Sequence, residues 1–365
     1  MSTPSRLGQL AGLLLLGTLL ALFPVIRLTL FAYSPLDIGD STSKIVEIHK
    51  AESPQEITKT LAELEVIESG KSFLWLGKLT RKWKKIKAGE YNVTRAMTPL
   101  EIFNVITSGI SIAHPVTIRE GENLFEIAED LAQKKLADRD RFVNLCSNPE
   151  FIQSLHLFKE GESPLNLEGY LFPETYFLNR TLNENDIIKQ MVRHFVERWD
   201  KTKEERAKQL GMNRHQVVTL ASIIEKETGA SEERAIVSSV FHNRLRIHMK
   251  LQSDPTTIYG MWAHFKGKIH RQDLSEENPY NTYTVKALPI GPISNPGEEA
   301  IKAALFPAQS PYLYFVSHND GTHQFSSNLE EHNQAVRKFQ LDKKAREGKS
   351  WRDHLKKKTA ANLNP

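Results

Sequence analysis

The chain has 365 residues, 40% hydrophobic and 25% charged, a globular composition that excludes a disordered or fibrous protein and leaves room for two or three domains. Its single cysteine, Cys146, excludes an intrachain disulfide and any multi-cysteine metal site. The net charge of +4 sits at the end: residues 341–365, a basic tail, carry eight Lys/Arg against three Asp/Glu. The body is therefore near neutral, which argues against nucleic acid as a partner.

From Leu7 to Ile26 no residue is charged, and Arg6 and Arg27 flank the run. A helix of that length spans ~30 Å, the thickness of a bilayer core. The apolar character continues through Leu28, Leu30 and Phe31 without a small-x-small cleavage pattern, so the expectation is an uncleaved anchor over 7–31. The short segment 1–6 before it favours a cytoplasmic N-terminus, a single pass through the cytoplasmic membrane, and the bulk of the chain outside.

Residues 44–158 repeat one local grammar. Ser53-Pro-Gln-Glu56, Thr98-Pro-Leu-Glu101 and Asn123-Leu-Phe-Glu126 each offer an N-cap residue and a Glu three positions on. Apolar residues follow at helical spacing, and short strands are expected before them over Ile45–Ile48, Tyr91–Val93 and Val116–Ile118. The pattern reads as three small α+β modules, or else as three unrelated, well-capped helices. Between the first two, Lys78 to Lys87 holds six cations around Trp83, ordinarily a solvated face.

Residues 159–340 form the second expected domain, also α+β. A helical block runs from Glu184 to about Leu210. Asn213 then caps a helix through Val217-Val-Thr-Leu-Ala-Ser-Ile-Ile-Glu225-Lys226-Glu227, with Gly229 placed to stop it. The first turns are apolar nearly all round, which predicts burial. Two residues apart, Glu225 and Glu227 do not share a face. Burial and the negative helix end both raise a carboxyl pKa, and a Glu protonated near neutral pH suits a general acid. The alternatives are a surface turn, or a buried pair with an Arg such as Arg234 or Arg244. Downstream, loops rich in Asn, Gln, Asp and Tyr suit a sugar-binding groove, although such loops are more often simply turns. His318, His323 and His332 match no zinc spacing, so no metal and no cofactor are expected.

The runs LASIIEKETG, VFHNRL, LQSDPTTIYG, YNTY, GPISNPG, AALFPAQSPYLYFV and DGTHQFS…EEHN resemble, in order and spacing, the membrane-anchored endolytic murein transglycosylases, the YceG-like family. The resemblance covers about residues 40–340; Ile290 departs from a proline common in the family. It implies cleavage of nascent peptidoglycan strands between N-acetylmuramic acid and N-acetylglucosamine, leaving a 1,6-anhydro end, and LysM-like character for the repeats. It implies Glu225 as the catalytic residue; the helical position of Glu227, pointing away from the same groove, suggests a supporting role. Gln252, Asp254, Asn281, Tyr283, Asn295 and His323 are the candidate glycan contacts. Glycan strands and the membrane are the expected partners, and which peptidoglycan synthase works beside the protein stays open. A non-catalytic peptidoglycan-binding scaffold and a two-carboxylate muramidase using Asp254 are the other readings.

Overall fold

The structure is a computed structural model that describes residues 18, 22–158 and 164–342. The expected span Leu7–Ile26 lies largely outside these residues, as does the basic tail from 343 onward. Among the described residues no helix is long and apolar enough to cross a membrane. The chain mixes helix and sheet and divides into two compact units: Met1–Val116 with Phe177–Asn183, and Thr117–Tyr176 with Glu184–Pro365.

The first unit begins with α1 (residues 22–33), then β1 (Lys44–Ile48), α2 (Pro54–Glu63), α3 (Gly70–Leu79), β2 (Gly89–Val93) and α4 (Pro99–Ser108). The capping boxes form as expected. Ser53 and Glu56 exchange side-chain-to-backbone bonds at the start of α2, as do Thr98 and Glu101 at the start of α4, and each helix carries Pro at its first position. The expected strands form, but not as separate modules: β1 pairs antiparallel with β2, Val46 opposite Tyr91, across both intervening helices. Trp83 also departs from the solvated-face reading. It turns inward, edge-on to Phe73 and Phe103, and its indole N–H donates to the Leu74 carbonyl at 3.1 Å. The core is Val46, Ile48, Leu61, Phe73, Phe103 and their neighbours, with Leu28, Phe31 and Ala32 of α1 packed onto it.

The chain crosses between units within β3 (His114–Thr117). The second unit then holds α5 (Leu124–Gln133), α6 (Arg139–Cys146) and α7 (Pro149–Ser154). β4 (Thr175–Leu178) pairs with β3, and α8 (Glu184–Arg198) and α9 (Lys201–Gln209) follow. The helical block expected over 184–210 is thus two helices, because the Asp200 side chain accepts from the Lys203 amide and starts α9 anew. The third capped helix, α5, belongs to this unit: its Leu124, Ile127, Ala128 and Leu131 are buried there. The compact units divide between Val116 and Thr117, with Phe177–Asn183 returning to the first.

At the centre lies α10 (Arg214–Glu227), with eight consecutive buried residues from Val217 to Ile224. Against it pack α11 (Arg234–Arg246), α12 (Asp254–Gly260) and α13 (Glu298–Leu305). The hairpin β5 (Tyr314–Ser317) and β6 (His323–Ser326), then α14 (Leu329–Val336), complete the unit. Gly229 does not stop α10 in a left-handed conformation as expected. Thr228 takes extended backbone instead, and its hydroxyl accepts from the Ala230 amide.

Candidate active site

The last turn of α10 presents its two carboxyls to different loops. Glu225 is nearly buried, with its side chain 5% exposed. Its Oε1 lies 3.0 Å from Arg234 Nη2, and its Oε2 accepts the Gly297 amide at 3.0 Å. Arg234 also approaches Glu120 Oε2 at 3.7 Å. The loop that delivers Gly297 is tied to α10 itself: the Ile293 amide donates to Ser222 Oγ, and Ser294 Oγ to the Ser222 carbonyl. A Cβ at Gly297 would meet the Glu120 carboxyl, so a side chain there would have to displace Glu120. Burial pushes the Glu225 pKa up, opposed by the Gly297 amide and the Arg234 charge.

Glu227 faces another set. Ser253 Oγ donates to its Oε1, and its charge interacts with Asp254 and Arg244. Burial pushes its pKa up to about 7, with Asp254 adding in the same direction and Ser253 and Arg244 opposing. Arg244 is held by the carbonyls of Leu251 and Leu313, at 2.7 Å each. Tyr283 Oη donates to Asp254 Oδ1 at 2.6 Å, and burial and that bond raise the phenol's pKa. Gln252 is exposed and sits at φ +52°, a left-handed backbone costly for a non-glycine residue. Its amide is anchored on the Thr282 carbonyl.

The structure therefore gathers Asp254 and Tyr283 at Glu227, with Gln252 next in the chain to Ser253, rather than at Glu225. His323 stands apart from both carboxyls' direct contacts, with Nδ1 2.7 Å from Glu233 Oε2 and its ring edge-on to Phe315. Two of the expected glycan contacts, Asn281 and Asn295, are engaged within the fold. Asn281 accepts from Thr257 Oγ1 and the Tyr283 amide, and its amino group faces the carbonyls of Asp273, Leu274 and Glu276. Asn295 accepts from the Leu171 amide and donates to the Glu122 carbonyl and Glu168 Oε1. Both side chains are buried and hold loops together.

Sequence reasoning missed Glu168, which is fully buried and accepts the Leu124 amide at the start of α5. Burial pushes its pKa up to about 8. Its neighbour Gly169 (φ +85°) was the available signal: a Cβ there would strike Pro292 and Val218, so the chain makes a close approach at that point. The remaining histidines serve separate contacts, His318 with Thr322 and His332 stacked on Tyr314. Among the described residues no group of three His, Cys, Asp or Glu could hold a metal ion.

Residues 46–338 match the YceG-like family. The chain belongs to that family. This YceG-like chain is 32% identical over 318 residues to the endolytic murein transglycosylase of Bacillus subtilis (strain 168), covering 84% of this chain and 87% of that protein. It is 27% identical to the endolytic murein transglycosylase of Streptococcus pneumoniae serotype 2, covering 83% of this chain but 59% of that longer protein. A crystal structure of a YceG-like protein from Listeria monocytogenes shares the fold, with a TM-score of 0.55 at 32% identity, over 80% of this chain and 99% of that one.

Proposed function

We propose that this YceG-like chain is an endolytic murein transglycosylase, cutting peptidoglycan strands between N-acetylmuramic acid and N-acetylglucosamine and leaving a 1,6-anhydro end. The observation that carries the proposal is the last turn of buried α10, where a carboxyl with a pKa near 7 is bordered by the family's polar loops. Its relation to the Bacillus subtilis protein of that name, along 84% of this chain, supports the same reading.

The reaction needs one group that gives a proton to the leaving oxygen and takes one back. No water has to be activated, because the sugar's own 6-hydroxyl attacks the anomeric carbon while the glycosidic bond breaks, and a tethered nucleophile brings its own high effective concentration. The hydroxyl's proton then returns to the carboxylate. Sequence assigned this work to Glu225. Burial raises the pKa of both carboxyls. At Glu225 the Gly297 amide and the Arg234 charge oppose it, whereas Glu227, opposed by Ser253 and Arg244, still reaches about 7 beside Asp254 and Tyr283. On that ground we assign the proton transfers to Glu227. In this reading Glu225 clasps the 291–297 loop to the end of α10, and Asp254, Tyr283 and Gln252 meet the glycan.

The twenty-residue apolar run before Arg27 supports an anchor in the cytoplasmic membrane, with the catalytic unit outside the cell's cytoplasm. The two capped helices between β1 and β2 support a LysM-like, glycan-positioning role for the first unit. The test is mass spectrometry of the ends produced from uncrosslinked glycan strands. Anhydro ends are expected. Reducing ends would instead favour a two-carboxylate muramidase in which Asp254 partners Glu227, and no cleavage would favour a scaffold.

A further inference from the structure

Helix α3 has two unlike faces. Phe73, Leu76 and Gly77 point into the core, where a Cβ on Gly77 would collide with Trp83 and Phe103. Lys71, Trp75, Lys78 and Leu79 recur at i, i+4, i+7 and i+8, which puts them on one outer stripe. On that stripe Trp75 is 63% and Leu79 73% exposed, and Lys78 Nζ stands 5.2 Å over the Trp75 ring.

Two neighbouring features say what would cover such a face. The first is α1, which continues the apolar run from Leu7 and is fastened to this unit by Leu28, Phe31 and Ala32. Its outward residues, Val25 among them, line a cavity of about 680 Å³ together with Trp75 and Leu79. The second is charge. Residues 71–87 contain seven Lys/Arg and no Asp/Glu. Lys71, Lys78, Arg81, Lys84 and Lys85 are exposed, and none has a carboxylate partner among the described residues. A tryptophan and a leucine ringed by such cations, continuous with an apolar helix, match the boundary between lipid headgroups and acyl chains.

We propose that the outer face of α3 and the adjoining side of α1 form a docking surface for an anionic lipid bilayer. Trp75 and Leu79 enter the headgroup boundary, and Lys71, Lys78, Arg81, Lys84 and Lys85 meet lipid phosphates. The inference rests on the anchor reading and deepens it: the first unit lies on the bilayer instead of hanging from a tether.

The full chain, reconstituted into vesicles of phosphatidylcholine with or without phosphatidylglycerol, tests this when the acyl chains are brominated and quench nearby tryptophans. Wild-type emission should be quenched more than that of Trp75→Phe, most strongly with phosphatidylglycerol, and less at high salt. The triple change K78Q/K84Q/K85Q should lose the phosphatidylglycerol-dependent part. Trp75→Phe keeps an aromatic ring at an exposed site, and an unchanged thermal unfolding temperature checks its fold. Equal quenching of wild type and Trp75→Phe overturns the proposal. So does a Trp75 signal that responds to glycan strands but not to brominated lipid. Flotation separates the two readings: protein that floats with vesicles without Trp75-dependent quenching refutes this inference alone, and protein that does not float refutes the anchor and this inference together.

Discussion

Glu225 and Glu227 share a helical turn yet lie about 200° apart around its axis, so they answer to different surroundings. Glu227→Gln removes the titrating proton while keeping size, and activity should fall by ~10²–10⁴-fold, the usual worth of general acid–base catalysis. Glu225→Gln should cost less activity but more stability, because it leaves the Arg234 charge without its closest carboxylate, a loss of about 1–3 kcal/mol. Turnover of glycan strands and urea unfolding measure the two effects. Inactive Glu225→Gln beside active Glu227→Gln would restore the assignment made from sequence. In the proposed mechanism Glu227 acts from its protonated form, so wild-type activity should decline as pH rises through about 7. Glu168 carries a second pH dependence. Its folded pKa of about 8 lies above the unfolded value near 4.5, so the native state keeps a proton the unfolded chain releases. Its contribution is neutral below the unfolded value and costs stability progressively as pH rises from there to about 8. Glu168→Gln should flatten this decline, seen as thermal unfolding temperatures that converge at acid pH and favour the variant at alkaline pH.

Among the elements, α10 was the most legible. Asn213 and Gln216 form its capping box, and an unbroken apolar stretch predicts the burial that is observed. Its loops were not legible in the same way, since an Asn that contacts sugar and an Asn that closes a loop look alike in sequence. Asn295 is the clearest case: it ties the 291–297 loop to Leu171, Glu122 and Glu168. Asn295→Ala would leave several buried polar groups without partners, at about 1–3 kcal/mol for each. We expect a lowered urea midpoint, with glycan affinity intact at temperatures where the variant stays folded. Weakened binding by a fully folded variant would return Asn295 to the groove.

At the scale of the whole molecule, the junction of the proposed anchor and the first unit decides where the chain tolerates cutting. Leu28, Phe31 and Ala32 pack on the core, while Leu22, Phe23, Val25 and Ile26 are exposed. A chain beginning at Arg27 should be soluble and keep its first unit at nearly full stability. One beginning at Ser34 should also be soluble, but loses the partly buried Leu28 and Phe31 and the buried Ala32, about 1–2 kcal/mol at the usual worth of such side chains. Comparison of the two by thermal unfolding checks this. Equal stability would mean that α1 contributes nothing to the core.

By itself the sequence determined what depends on neighbours along the chain. The capping boxes at Ser53, Thr98 and Asn123, the strands near 45, 91 and 116, and the buried course of α10 all follow from residues within a few positions of one another. The ordered motifs carried the family as well, since their spacing survives without any knowledge of packing. Only the tertiary structure decided that β1 pairs with β2, that α5 joins the second unit, and which carboxyl meets which loop. Ser253 lies 26 residues from Glu227, and Gly297 lies 72 residues from Glu225. Local propensity fixes neither approach, because both arise from burying α10 among α11, α12 and α13, and the desolvation that raises each carboxyl's pKa comes from that same burial.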